Sequence, residues 1–316
     1  MAVKTSISKQ VFNQILLQYE LGSYVHSEPV SQGNVQTNYF LYTDRGKYVF
    51  RYYENRSKES VLFENDLLTY LRKHQYPCPT PIQNKHGIGV SVYQGKPFVI
   101  YEFLGGESIE HHTEYQKQQL VQKVAELQIL TQGYQPQYKQ YRWNYNVELC
   151  QTLARAEAEK AGTEDARRKL SWMEEQLAKL ELPETIPIGI CHCDFHFSNV
   201  LYKDDELVGI LDFDDANYTY LVFDLVCLID GEWPFPAQTP NWQTARSIVE
   251  EYEKYRSIDV VEKRHMFDVH KLGILFDGIW FFGRGQADDF YERRKIEFLN
   301  SIGWKEYADR LFHTAP

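Results

Sequence analysis

The spacing of apolar positions changes along the chain, and the changes divide it. After a short helical opening over residues 7–19, VQTNYFLYT (35–43) and GKYVFRYYE (46–54) are rich in β-branched and aromatic residues. They predict two strands joined at Asp44-Arg45-Gly46. Over residues 57–73 the spacing turns helical, with Val61, Leu62, Leu68 and Leu71 on one side and Ser57 placed to cap the first turn. YPCPTPI (76–82) ends that helix, because proline lacks the amide that a helix interior needs. GIGVSVYQ and KPFVIYEF then predict two more strands, turning at Gln94-Gly95.

Beyond residue 106 the pattern is mainly helical. Residues 113–130 carry Leu120, Val121, Val124, Leu127 and Leu130 at helical spacing, a core-facing stripe. Residues 147–180 continue in the same style, with Gly162 placed to separate two antiparallel helices. A compact β segment interrupts: IPIGICHCDF, then NVLYKDDELVGILDF with Asp204-Asp205 at a hairpin turn. From residue 223 onward the chain again reads as helix. The expectation is a small β-rich unit with one principal helix (1–102) followed by a larger helical unit (103–316) that carries an embedded hairpin, with the boundary near 102–107.

Composition narrows the function. The formal net charge of −10 argues against nucleic acid or an anionic membrane as main partner, since both need a basic surface. It gives mild support to a cationic or zwitterionic substrate and better support to a surface kept acidic for solubility. No apolar run approaches a membrane span and MAVKTSISKQVFNQ has no signal-like stretch, so the expected location is the cytoplasm. Five cysteines in a chain of 316 residues without such a signal are expected as reduced thiols. Oligomeric state is not legible.

The chemistry is concentrated in ICHCDFHFSNVLYKDDELVGILDFDD. His192, Asp194 and Asn199 have the spacing H-x-D-x-x-x-x-N, and Asp212 ends the next strand of the hairpin. An aspartate on a loop can accept the proton of an attacking hydroxyl, while an asparagine amide oxygen and a carboxylate are hard ligands for magnesium. The two hairpin strands carry Asn199 and Asp212 toward the same end. Phosphoryl transfer asks mainly for positioning and charge neutralisation, which such a set supplies.

These residues resemble the protein-kinase-like superfamily, and within it the aminoglycoside phosphotransferase and choline kinase group. HCDFHFSN is similar to that group's catalytic loop and ILDFDDA to its metal-binding strand end. The resemblance implies an α+β, bilobal kinase-like fold, with a small antiparallel-sheet N-terminal lobe, a larger helical C-terminal lobe and the active site in the cleft between them. It implies ATP and Mg as cofactors, Asp194 as catalytic base, Asn199 and Asp212 as metal ligands, and Asp224 as a brace for the catalytic loop. YVFRYY resembles the strand bearing the phosphate-binding lysine, here Arg51, for which Glu64 on the following helix is the matching acid. YEFLGG resembles the hinge that offers backbone groups to adenine at Glu102 and Phe103. SQGNVQTN (31–38) stands where protein kinases have a glycine-rich cover and small-molecule kinases often have a polar loop.

The implied acceptor is a small hydroxyl-bearing molecule that also carries an amine. The segment TNYFLYTDRGKYVFRYYE and the chain length look most like type II homoserine kinases, so homoserine or a related amino alcohol is expected. Aminoglycoside, choline, ethanolamine and methylthioribose-like acceptors stay open, as does a nucleotide-binding pseudokinase. His196 in the loop is a candidate for touching the acceptor. Asp214 and Asp230 are candidates for sensing its amine, although Asp214 also reads as a solvated turn. Trp233, Asp277 and Trp280 can be read as a cage for a cation or as a buried aromatic helix face. Cys191 and Cys193, two apart with no second cysteine pair, read as packed thiols rather than zinc ligands, and His192 as a packed histidine.

Overall fold

The computed structural model describes residues 5–30 and 35–312. The chain runs α1 (Lys9–Leu16), β1 (Tyr24–Pro29), β2 (Thr37–Thr43), β3 (Gly46–Tyr52), α2 (Lys58–Lys73), β4 (Ser91–Tyr93), β5 (Lys96–Glu102) and α3 (Glu114–Leu130). It continues through α4 (Val147–Ala161), α5 (Glu164–Leu177), β6 (Ile188–Cys191), β7 (Val200–Lys203), β8 (Glu206–Ile210) and β9 (Asn217–Tyr220). Four helices follow: α6 (Val222–Gly231), α7 (Trp242–Glu253), α8 (Val260–Trp280) and α9 (Tyr291–Leu311). The class is α+β, with an antiparallel sheet early and helices late, as expected. No helix among the described residues is long and apolar enough to cross a membrane.

The residues form two compact units. One comprises the chain up to Ile109 together with Gly133–Arg142 and Asn199–Asp214; the other comprises Glu110–Gln132, Trp143–Ser198 and everything from Asp215. The sequence suggests one boundary near 102–107. The chain instead returns twice to the first unit, and the hairpin β7–β8 belongs there.

In the first unit five antiparallel strands lie in the order β1-β2-β3-β5-β4. Alternation gives β3 two different faces. Phe50 and Tyr52 join Phe12, Ile15 and Leu16 of α1 and Phe98 and Ile100 of β5 in one core. Phe12 and Phe50 are wholly buried, each worth roughly 1.5–3 kcal/mol on removal from water. The opposite face carries Arg51 and is followed by Tyr53, whose hydroxyl meets that of Tyr101 at 2.8 Å. Helix α2 presents Glu64 to the same face, accepting from the Tyr101 hydroxyl at 3.4 Å. Ser57 caps α2 through the Ser60 amide, as its position suggested. Leu62, expected inside, is only half-buried, whereas Phe63 and Leu67 are fully buried.

Both predicted two-residue turns form with the left-handed backbone that such loops require. Gln94 and Gly95 have φ of 48° and 80°, and Asp204 and Asp205 have 49° and 65°. Two strands escaped the sequence reading. Strand β1 is a mostly polar edge strand, and β9 pairs with β6, so the compact β segment is two separate ribbons.

The second unit is built from α3–α9 around the β6–β9 ribbon. Helix α3 begins in a capping box made by Thr113 and Gln116. Its stripe is buried at Leu120, Val121, Val124 and Leu127, with Leu130 half-exposed. Gly162 ends α4 with a left-handed φ of 65°, and α5 starts two residues later.

Candidate active site

In the first unit, the register of β7 against β8 fixes one end of the hairpin. Val200 pairs with Ile210, and the Leu211 amide donates to the Asn199 carbonyl at 2.7 Å. Asn199 and Asp212 are thereby held at the same end, one entering β7 and the other leaving β8. Asp212 has a left-handed φ of 64°, uncommon for a residue with a side chain and a frequent companion of function.

Arg51 reaches this end from β3. Its Nη2 donates to Asp212 Oδ1 at 2.7 Å and lies 3.9 Å from Asp214 Oδ2. Burial works against the Arg51 charge, but Asp212, Tyr53, Asp214 and Glu64 outweigh it, and the guanidinium is held well above its usual range. Sequence pairs Arg51 with Glu64. The arginine fork turns instead to the hairpin, and no ion pair links it to Glu64. Glu64 is buried with no ion-pair partner among the described residues, and burial pushes its carboxyl up to about 7 against the pull of Arg51. One oxygen of Glu64 and the Nε of Arg51 have no hydrogen-bond partner among the described residues.

Asp214 is not left for an acceptor. Arg56 holds both of its oxygens, at 3.1 and 3.2 Å, and Gln36 Nε2 donates at 2.9 Å. Burial would raise its carboxyl, but Arg51 and Arg56 overcome this and lower it. Arg142 fastens the same corner, donating to the Ser60 carbonyl at 3.2 Å and the Phe213 carbonyl at 3.0 Å. Sequence reasoning passed over Gln36, Arg56 and Arg142, since an isolated polar residue on a loop has no period to betray it. Half of the polar loop expected at 31–38, residues 31–34, lies outside the described residues, and Thr37 and Asn38 already belong to β2. At the end of β5, Glu102 and Phe103 are exposed; the Glu102 amide donates to the Thr80 carbonyl, and the Phe103 ring packs on Phe40 and under Lys47.

In the second unit, Asp194 follows β6 on an exposed loop. The preceding turn is forced: Cys193 has a φ of 65°, and the His192 and Cys193 amides both donate to the Asp224 carboxylate at 2.8 Å. Asp224 stands in the first turn of α6, where a negative charge is favoured. Burial still pushes its carboxyl up to about 7, despite those two hydrogen bonds. The His192 ring is buried, lies tilted against Phe195 at 4.6 Å, and accepts the Asp194 amide on Nδ1 at 3.2 Å. Cys191 and Cys193 are buried thiols, held by the Tyr220 carbonyl and the Asn217 amide respectively.

Replacing Asp224 by alanine strands two buried amides. The native carboxyl titrates above the ordinary aspartate range near 4, so its protonated form is the one the fold favours. The resulting contribution to stability is whole below pH about 4 and is lost as pH rises through about 7. The drop in Tm of Asp224→Ala is therefore expected to be larger at pH 5 than at pH 8. Equal drops in thermal melts at the two pH values count against this account.

Asp194 and His196 line a cavity of about 470 Å³ in the second unit. Asp230, Asp277, Trp233, Trp280 and Lys295 contribute further to its walls. Asp230 does not face it unpartnered: Lys295 Nζ lies 2.6 Å from Oδ2 and His270 Nε2 3.2 Å from Oδ1. Burial raises the Asp230 carboxyl, but His270 and Lys295 together bring it below its usual range.

Comparison with known proteins fits this geometry. A homoserine kinase of Bartonella henselae is 29% identical over 273 residues, covering 83% of this chain and 82% of the relative. One of Methylobacterium radiotolerans is 28% identical over 304 residues, covering 95% and 89%. Among solved structures, a microcompartment-associated aminopropanol kinase shares the fold at a TM-score of 0.71 and 16% identity, covering 97% of this chain and all of that one. The amicoumacin kinase solved with AMP-PNP, Ca2+ and Ami gives 0.64 at 17% identity, covering 96% and 93%. The model of the phosphotransferase enzyme family matches residues 26–258, well over half of the sequence, and the chain belongs to that family.

Proposed function

We propose that this chain is an ATP- and magnesium-dependent kinase that phosphorylates the hydroxyl of a small amine-bearing molecule, homoserine or a related amino alcohol. The observation that carries the reading is Asp194, exposed on a braced loop and lining a cavity large enough for such an acceptor.

The donor set suits the metal. Asn199 and Asp212 offer hard oxygens at one end of one hairpin, and the Asp212 side chain is 43% exposed. Bound magnesium would neutralise charge on the phosphates and the departing ADP. Arg51, which reaches the Asp212 end of the hairpin, would meet phosphate oxygens through its guanidinium. Asp194 would take the hydroxyl proton as the acceptor oxygen bonds to the γ-phosphorus and the bond between that phosphorus and the β–γ bridging oxygen breaks. Glu102 and Phe103 would offer backbone groups to the base, with Glu64 supporting the nucleotide side from α2. Homoserine kinases among the relatives support the acceptor class.

The test is a screen of small amino alcohols, amino acids and sugars with ADP release as readout. Acceptor-dependent ADP formation that disappears without magnesium is the expected result. Its absence across the panel would overturn the reading and favour a nucleotide-binding protein without turnover.

A further inference from the structure

We infer that Asp214 is a positioning residue for the nucleotide site, the carboxylate that takes over the Arg51 guanidinium when Asp212 turns to magnesium. The inference rests on the kinase reading of the hairpin end and adds a residue to it.

The two acids beside Arg51 are held in opposite ways. Asp212 can turn away. Its side chain is 43% exposed, and Arg51 Nη2 at 2.7 Å is its one side-chain partner among the described residues. Asp214 cannot. Its side chain is 8% exposed, and it accepts from Arg56 Nε at 3.1 Å, Arg56 Nη2 at 3.2 Å and Gln36 Nε2 at 2.9 Å. Arg142 donates to its main-chain carbonyl. Gln36 is tied down in turn: its Nε2 also reaches Asn55 Oδ1 at 2.9 Å, and its Oε1 accepts the Glu54 amide at 2.7 Å. A carboxylate with this support keeps its place whichever way Asp212 points.

Arg51 needs such a partner. Its side chain is 14% exposed, its Nε has no acceptor, and Asp212 is the one side chain it donates to among the described residues. Once Asp212 serves a metal, the guanidinium loses that counter-ion, and a desolvated cation without one is unfavourable. Asp214 Oδ2 lies 3.9 Å from the same Nη2, so a shift of about 1 Å brings the two within hydrogen-bond distance. Glu64 of α2 is the rival acceptor, but no ion pair joins it to Arg51 among the described residues. Anchored on Asp214, Arg51 keeps its other donors for phosphate oxygens.

The test reads binding rather than turnover: calorimetric titration of the chain with ATP, once in excess magnesium and once in EDTA. Asp214→Asn is expected to weaken MgATP binding roughly tenfold or more, the size of one charge-assisted contact. In EDTA, where Arg51 can stay on Asp212, its Kd should lie within about twofold of native. A residue that only held the fold together would weaken both alike. Gln36→Met loosens Asp214 without removing its charge and should show a smaller loss with the same dependence on metal, so it carries the test if Asp214→Asn does not fold. A crystal structure of the native chain with magnesium and AMP-PNP reads the contact directly, with Arg51 expected on Asp214 and off Asp212. Arg51 still on Asp212 in that structure, equal losses with and without magnesium, or a metal-dependent loss in Glu64→Gln instead of Asp214→Asn overturns the inference alone. A native chain that binds no ATP under either condition removes the kinase reading, and the inference with it.

Discussion

Asp194→Ala is expected to lower kcat roughly 10²–10⁴-fold, the range for losing a positioned proton acceptor. Stability should stay within about 1 kcal/mol, because the side chain is exposed and the loop is fixed from behind by Asp224. Asp194→Asn separates two roles. An amide can still orient a hydroxyl but cannot take its proton, so a loss equal to that of alanine identifies a base, and a much smaller one identifies an orienting group. Turnover by ADP release, beside a thermal melt, decides it. More than about a tenth of native kcat in a folded alanine variant removes Asp194 from the chemistry.

Asp212→Ala is expected to cost about a thousandfold in kcat, since metal-borne charge stabilisation is worth several kcal/mol in the transition state. Two side effects need separating from that loss. Alanine fits the left-handed backbone at this position poorly, and Arg51 loses its nearest carboxylate. Asp212→Asn tolerates the backbone and keeps an oxygen while removing the charge. It should lie between alanine and the native enzyme in kcat and need more magnesium to reach half-maximal rate. A magnesium requirement unchanged in both variants counts against Asp212 as a ligand.

The parts of the site that lie close together in sequence were legible. Asn199 and Asp212 flank one hairpin, so a turn at Asp204-Asp205 suffices to bring them to a common end. Asp224 could be assigned to bracing the loop by resemblance, and its two 2.8 Å hydrogen bonds give that assignment a physical form. Partner choice between distant residues was not legible. Nothing local tells Arg51 to prefer Asp212, 161 positions away, over Glu64 on the next helix. Asp214 looked like a turn or an amine sensor because its partners Arg56 and Gln36 lie far off in sequence. The same holds for the cavity. Asp230 stood out as an acid beside aromatics, but the His270 and Lys295 that neutralise it sit on α8 and α9 and carry no motif. Strand β1 was missed because an exposed edge strand with Pro29 lacks the apolar alternation on which strand prediction depends.

The discontinuity of the first unit bears on any attempt to recombine this enzyme with its relatives. A crossover at residue 109 transfers the sheet but leaves behind the ribbon whose Ile210 amide bonds to the Pro77 carbonyl and whose Tyr202 exchanges two backbone bonds with Glu107. A chimera made by one cut therefore inherits Arg51 from one parent and Asp212 from the other. Only a graft that moves residues 199–214 together with the N-terminal segment carries both halves of that ion pair from a single ancestor.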